Sequence, residues 1–123
     1  MAIIFTRTIP TLRMFSVEKA KEFYLGYLGF NLDFEHTFEP NTPVYMGVSR
    51  GDLVFHLSEH YGDGTPGSCV YVLMQGVREF HAELAAKNYR YYRPHVEETP
   101  WDTLGMDLLD PFGNKLRFNE PVK

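Results

Sequence analysis

The sequence predicts an α+β fold: two β-α-β-β-β repeats, spanning about residues 5–60 and 68–120, that form a curved mixed sheet with the helices outside. Three observations lead there. The order of apolar runs is strand, helix, then three strands, and that order occurs twice. An offset of about 60 residues lays Ile9 on Cys69, Val17 on Val77 and Met46 on Met106, and one extra residue at DPFGN lays His56 on Arg117. The length of 123 residues, 44% of them apolar, suits a single domain with a real core, and one cysteine leaves no disulfide framework.

Each element has its own signal. Residues 8–14, TIPTLRM, are a short apolar run with Pro10 near its start, which suits an edge strand because proline has no N–H for a ladder. Ser16 is a helix cap, and Val17, Ala20, Phe23, Tyr24 and Leu28 follow it at helical spacing. Gly29 falls where a helix end wants a left-handed residue. FNLDFEHTF, PVYMGVSR and DLVFHLSE read as three strands separated by turn signals at 39–42 and 50–52. In the second half CVYVLM is a strand, and Val77, Phe80, His81, Leu84 and Ala85 trace a helix. YRYYRP, LGMDLLD and NKLRFNE complete the repeat, with Glu97 and Glu98 in a solvated turn.

Composition narrows the partners. A net charge of −4 with scattered Lys and Arg disfavours nucleic acid and leaves cationic small molecules as partners. MAIIFTRTIP has too short an apolar run before Arg7 for a secretory signal, and no segment reaches membrane-spanning length. The expected location is cytoplasmic, with no membrane partner.

Residues 56–60, HLSEH, match the H-x-x-E-H pattern of one class of zinc peptidase. That chemistry needs both histidines on one helical face, a turn apart. Leu53, Val54, Phe55 and Leu57 instead read as a strand, which sets His56 and His60 roughly 13 Å apart, beyond the reach of one tetrahedral zinc ion. His56 then lies on the last strand of the first repeat. Glu59 points outward, and His60 opens the glycine-rich connection between repeats.

The β-α-β-β-β repeat, the junction FYLGYLGF and the closing LLDPFGNKLRF together resemble the vicinal oxygen chelate superfamily, which includes glyoxalase I, extradiol dioxygenases and the fosfomycin- and bleomycin-resistance proteins. The resemblance covers nearly the whole chain. D-P-x-G-N-x-L-R-F is its most specific part, since Asp-Pro and Gly-Asn fix a tight hairpin. In metal-using members it implies four cup-facing ligands on the first and last strands of each repeat, and the matching positions here are Ile9, His56, Cys69 and Arg117. Ile9 offers no donor and Arg117 is permanently cationic, so neither metal nor cofactor is expected. Cys69 is expected as a buried strand residue, and Arg117 needs a partner such as Asp107 or an anionic ligand group.

IPTLRMFSV, LGFNLDF and ETPWDTLGMDLLDP are most similar to the bleomycin-resistance proteins, with Asp102 where those proteins carry a glycine after the tryptophan. The resemblance implies a non-catalytic protein that sequesters a bleomycin-type or other small molecule between two subunits. It further implies a domain-swapped homodimer whose N-terminal arm crosses to the partner. A binder of that kind needs flat rings for a bithiazole and carboxylates for a cationic tail. The candidate ligand-binding residues are Phe38, Tyr45, His56, His60, Tyr71, Trp101, Asp102 and Arg117, with Phe34 expected in the core. Two other readings stay open: a metal-dependent lyase or dioxygenase of the glyoxalase type, and a binder of a small carboxylate or phosphate metabolite.

Overall fold

The computed structural model describes residues 2–122. The first repeat comprises β1 (Thr11–Arg13), α1 (Val17–Lys21), β2 (Asn31–Thr37), β3 (Val44–Arg50) and β4 (Leu53–Ser58). The second comprises β5 (Cys69–Leu73), α2 (Val77–Lys87), β6 (Glu97–Glu98), β7 (Thr103–Leu109) and β8 (Lys115–Pro121). Hydrogen bonds join the strands into two four-stranded sheets of matching order, β1-β4-β3-β2 and β5-β8-β7-β6. In each sheet the first strand runs parallel to the last, and the other pairs are antiparallel.

The ladders repeat at the offset seen in the sequence. Met14 N–H donates to the Ser58 carbonyl and Met74 N–H to the Asn119 carbonyl, both at 2.9 Å. Facing pairs across the parallel ladders are Thr11–His56 and Tyr71–Arg117. Ladder β1 starts only after Pro10, whose carbonyl still accepts the His56 N–H at 2.9 Å. That is the half of a ladder bond a proline can make.

Alternation sorts the two faces of each sheet. Leu12, Met46, Val48, Phe55 and Leu57 of the first sheet and Val72, Met106, Leu108, Leu116 and Phe118 of the second are buried. They form one apolar cluster with Ala20, Phe23, Tyr24 and Leu28, and with Val77, Phe80 and Leu84 of α2. The other face of each sheet is open and forms a cup.

Local chemistry explains the helix ends. The Ser16 hydroxyl accepts the Lys19 N–H at 3.1 Å, α1 widens into a π-helical turn at Glu22–Tyr27, and Gly29 at φ +77° turns the chain into β2. At the start of α2 no side chain of the cap residue, Gly76, is available, and the Glu120 carboxylate accepts the Val77 N–H at 3.0 Å instead.

The strand expected over YRYYRP does not form. Asn88 at φ 50° ends α2, and the Arg93 guanidinium folds back onto the Tyr89 and Tyr92 carbonyls and Asn88 Oδ1. Tyr89 stacks on Tyr27 with ring centres 4.5 Å apart. These aromatics pack against the first helical segment, and the strand forms instead at Glu97–Glu98, where a turn was expected.

The DPFGN turn fastens the two repeats together. Asp110 is buried, and its carboxylate accepts Phe112 N–H at 2.9 Å, Asn114 N–H at 2.8 Å, Asn114 Nδ2 at 2.8 Å and the Tyr24 hydroxyl at 2.7 Å. Asn114 Nδ2 also donates to the Arg13 carbonyl at 3.0 Å. Burial, reinforced by the charge of Asp110, holds the Tyr24 phenol well above its ordinary pKa.

Candidate functional site

The open face of the first sheet carries Thr11 on β1, His56 on β4 and Tyr45 and Gly47 on β3. Tyr45 Oη stands 2.7 Å from His56 Nδ1 and 3.3 Å from Thr11 Oγ1, which orients the imidazole. A register shift between Leu32 and Phe34 in β2 turns Phe34 onto the same face. Its ring lies parallel to Tyr45 with centres 6.2 Å apart and meets His56 edge-on at 5.3 Å. Gly47 makes that possible, since a Cβ there would stand 2.3 Å from the Phe34 ring. At the rim, Phe38 meets His36 at 4.6 Å and His60 at 5.6 Å between ring centres. The His60 N–H donates to Ser58 Oγ at 3.0 Å, while its Nε2 is buried without a partner.

The second cup is ionic. Tyr71, Arg117 and Asp107 stand side by side across β5, β8 and β7. Arg117 Nε meets Asp107 Oδ1 at 3.4 Å, a long contact for a charged pair. Trp101 Nε1 donates to Tyr71 Oη at 3.1 Å, and the indole remains 53% exposed. The segment from Tyr92 to Trp101 walls a cavity of about 480 Å³ whose lining includes His95, Glu97, Trp101, Asp107, Arg117 and Asn119. Asp102 holds φ 62°. The chain thus keeps the left-handed backbone that suits the glycine of the proteins it resembles.

Seven of the eight candidate residues therefore fall into two groups. Phe38, Tyr45, His56 and His60 belong to the first cup and Tyr71, Trp101 and Arg117 to the second, while Asp102 follows Trp101 outside the cavity lining. Among the described residues, no hydrogen bond or ring contact joins one group to the other within the chain.

Several expectations are corrected. Ile9 precedes β1 and is exposed, so the residue facing His56 is Thr11. Cys69 is likewise two residues before Tyr71, and it is exposed because β5 is an edge strand with no cover on its cup side. Phe34 is a cup residue, 41% exposed, rather than a core one. Glu59 does not point freely outward, since its carboxylate accepts the Val44 N–H at 3.0 Å. Thr11, Phe34, Gly47 and Asn119 were not singled out as site residues. A glycine inside an otherwise apolar strand such as VYMGVSR is the signal that would have found the first three.

The metal set of the enzymatic relatives does not fit these positions. His56 Nδ1 is engaged by Tyr45, Thr11 and Tyr71 offer only hydroxyls, and Arg117 is a cation. Among the described residues, no three His, Cys, Asp or Glu side chains gather closely enough to hold an ion. No helix among them is long and apolar enough to cross a membrane.

Two sheets of matching order, each with an open cup, define the architecture. Residues 1–123 match the family described as glyoxalase superfamily protein, and the chain belongs to that superfamily. No curated protein matches it. Among solved structures it is similar to the bleomycin resistance determinant encoded on transposon Tn5, at 21% identity over 97% of this chain and 100% of that one, with a TM-score of 0.74. It is also similar to the bleomycin-binding protein of Streptomyces verticillus complexed with copper(II)-bleomycin, at 25% identity over 97% and 98% of the two chains, TM-score 0.74. A glyoxalase/bleomycin resistance protein/dioxygenase superfamily member from Sphaerobacter thermophilus is 24% identical over 95% and 98%, TM-score 0.69. The two β-α-β-β-β repeats are therefore those of the glyoxalase/bleomycin-resistance fold.

Proposed function

We propose that the chain binds and sequesters a bleomycin-family glycopeptide, without catalysis, in a groove completed by a second copy of itself. The observation that carries this reading is Trp101. A half-exposed indole held by Tyr71 beside Asp107, Glu97 and Glu98 offers a stacking face next to carboxylates, which is what a flat bithiazole with a cationic tail requires. The similarity to bleomycin-binding proteins supports the choice of ligand.

The dimer has separate support. Residues 2–10 have no regular structure, and Ile3, Ile4 and Phe5 are 84%, 77% and 95% exposed, a run of apolar surface that a partner would cover. The two halves of the site also lie in separate cups of one chain, and a second copy would set the first cup of one beside the second cup of the other.

The test is titration with metal-free bleomycin while following the fluorescence of Trp101, the single tryptophan. Quenching with a micromolar dissociation constant, weakened by about 1 kcal/mol or more in Trp101→Ala, is the expected result. Absence of quenching, with no heat in calorimetry, would remove the drug from consideration. Near-stoichiometric metal in the purified protein would favour the lyase or dioxygenase reading instead.

A further inference from the structure

We infer that the second cup, besides the ligand proposed above, accepts a second class of ligand, a flat aromatic carboxylate whose oxyanion is seated on Arg117 and Asn119. The inference rests on the reading of this cup as a binding site but not on the ligand being a drug. Arg117 and Asn119 are two residues apart on β8 and so face the cavity together, roughly 7 Å apart.

Neither is satisfied by the protein. An arginine paired with a carboxylate usually places two N–H groups on it at about 2.7–2.9 Å. Arg117 has one contact, from Nε to Asp107 at 3.4 Å, and neither Nη1 nor Nη2 bonds to any described residue. Asn119 is only 2% exposed, and the little surface it keeps borders the cavity. Its Oδ1 takes the Thr103 hydroxyl at 2.7 Å, and that hydroxyl stands 2.7 Å from Thr99 Oγ1. With the oxygen held on that side, Nδ2 is left without a described partner at the wall of the cavity. Gly105, opposite on β7, leaves the amide its room: a Cβ there would stand 3.1 Å from Asn119 Oδ1 and 3.1 Å from Thr99 Cγ2.

The floor of the cup is thus a pair of convergent donors, an arrangement that takes two acceptor oxygens. The wall adds the second requirement. Trp101 has already given its N–H to Tyr71, so it offers the ligand a flat face and no donor. The remaining charges set the selectivity. Arg93, also in the lining, has its guanidinium bound to loop carbonyls, and Asp107, Glu97 and Glu98 are negative. A bare inorganic anion meets that acidic surround with nothing to offset it, whereas an aromatic carboxylate gains the stacking energy as well.

The experiment titrates the protein with 2-naphthoate, its neutral isostere 2-naphthamide, 2-naphthylmethylammonium and bleomycin, each read by Trp101 fluorescence. Naphthoate should bind about tenfold or more tightly than naphthamide. Arg117→Gln should reduce that preference to about unity, with naphthoate losing far more affinity than naphthamide. Asn119→Asp should weaken naphthoate selectively; should that variant fail to fold, Arg117→Gln decides alone, because Arg117 is half-exposed and outside the core. Equal affinity for the acid and the amide, or naphthoate binding unaffected by Arg117→Gln, overturns the inference. Bleomycin binding without a carboxylate preference overturns it while leaving the drug reading standing; a carboxylate preference without bleomycin binding does the reverse. No response to any of the four overturns both.

Discussion

Replacing Gly47 by alanine tests whether the first cup is a built aromatic surface. The change adds one methyl group at a point from which Phe34 Cε2 is 2.3 Å, Cδ2 2.9 Å and Cζ 3.0 Å away. Ordinary contact begins at 3.4 Å, so the ring must retreat by about 1 Å or swing to another rotamer. Either movement takes it off Tyr45 and His56. Overpacking in a closed core costs about 1–3 kcal/mol, and a ring 41% exposed on an open face can swing aside, which keeps this site near the lower end, at about 1 kcal/mol. Unfolding entropy of about 2.1 cal/mol/K per residue gives a chain of 123 residues about 260 cal/mol/K, so each kcal/mol lowers Tm by about 4 °C. Differential scanning calorimetry should therefore show a fall of about 4 °C. The same substitution in a Phe34→Ala background should cost far less, because the ring it strikes is gone, and the double-mutant cycle isolates that coupling. An unchanged Tm in Gly47→Ala, or equal losses in both backgrounds, would refute the argument.

Three further outcomes follow from the geometry. Asp110→Ala leaves four donors without their shared carboxylate at the junction of the repeats, and urea unfolding should show a loss of about 3 kcal/mol or more; a loss below about 1 kcal/mol contradicts the assigned role. At φ 62° Asp102→Gly should be better tolerated than Asp102→Val by about 1–2 kcal/mol. The opposite order in thermal unfolding would mean the residue is not left-handed. Burial first and the Glu22 carboxylate second push the Tyr89 phenol up to about 12 from an ordinary 10, and burial also raises Tyr24, Tyr27 and Tyr92. A phenol raised on folding contributes stability that is complete below its unfolded pKa and lost as pH climbs from about 10 toward 12. Near-ultraviolet titration should show a late-ionising set of tyrosines, with Tyr89 moved toward its ordinary value in Glu22→Gln; a single wave of ionisation near pH 10 for all tyrosines would contradict this.

The repeat was legible because a strand order and an offset of about 60 residues survive where side chains have diverged. Met14 and Met74 make equivalent ladder bonds to Ser58 and Asn119 even though the cup residues around them share little. Trp101 and Arg117 were legible for the opposite reason: each is out of place in an ordinary strand or loop. Where the reading failed, the cause is local. Strict alternation puts Leu32 and Phe34 on one face, and the shift between them in β2 reverses Phe34 without leaving a mark in its own residue type. YRYYRP has strand composition, but tyrosine propensity for strands reflects packing more than backbone, and here the packing partner is Tyr27 on a helix. The exposure of Cys69 depends on what covers β5, which no pattern within CVYVLM records.

The two cups show how one backbone came to carry two chemistries. In corresponding rows of the sheets, Thr11 and His56 of the first match Tyr71 and Arg117 of the second, and Gly47 beside His56 matches Asp107 beside Arg117. One row further along, Tyr45 beside Ser58 matches Gly105 beside Asn119. The strand glycine has thus moved by one row between the repeats. At Gly47 it admits an aromatic ring over the cup, and at Gly105 it admits an amide beneath it. The first cup becomes a largely neutral surface of rings around His56, and the second a set of donors and carboxylates beside Trp101. A ligand that spans both must present a neutral, stackable part to one and a charged part to the other. Exchanging the residues of a single row between repeats would therefore alter ligand preference while leaving the ladders, and with them the fold, in place.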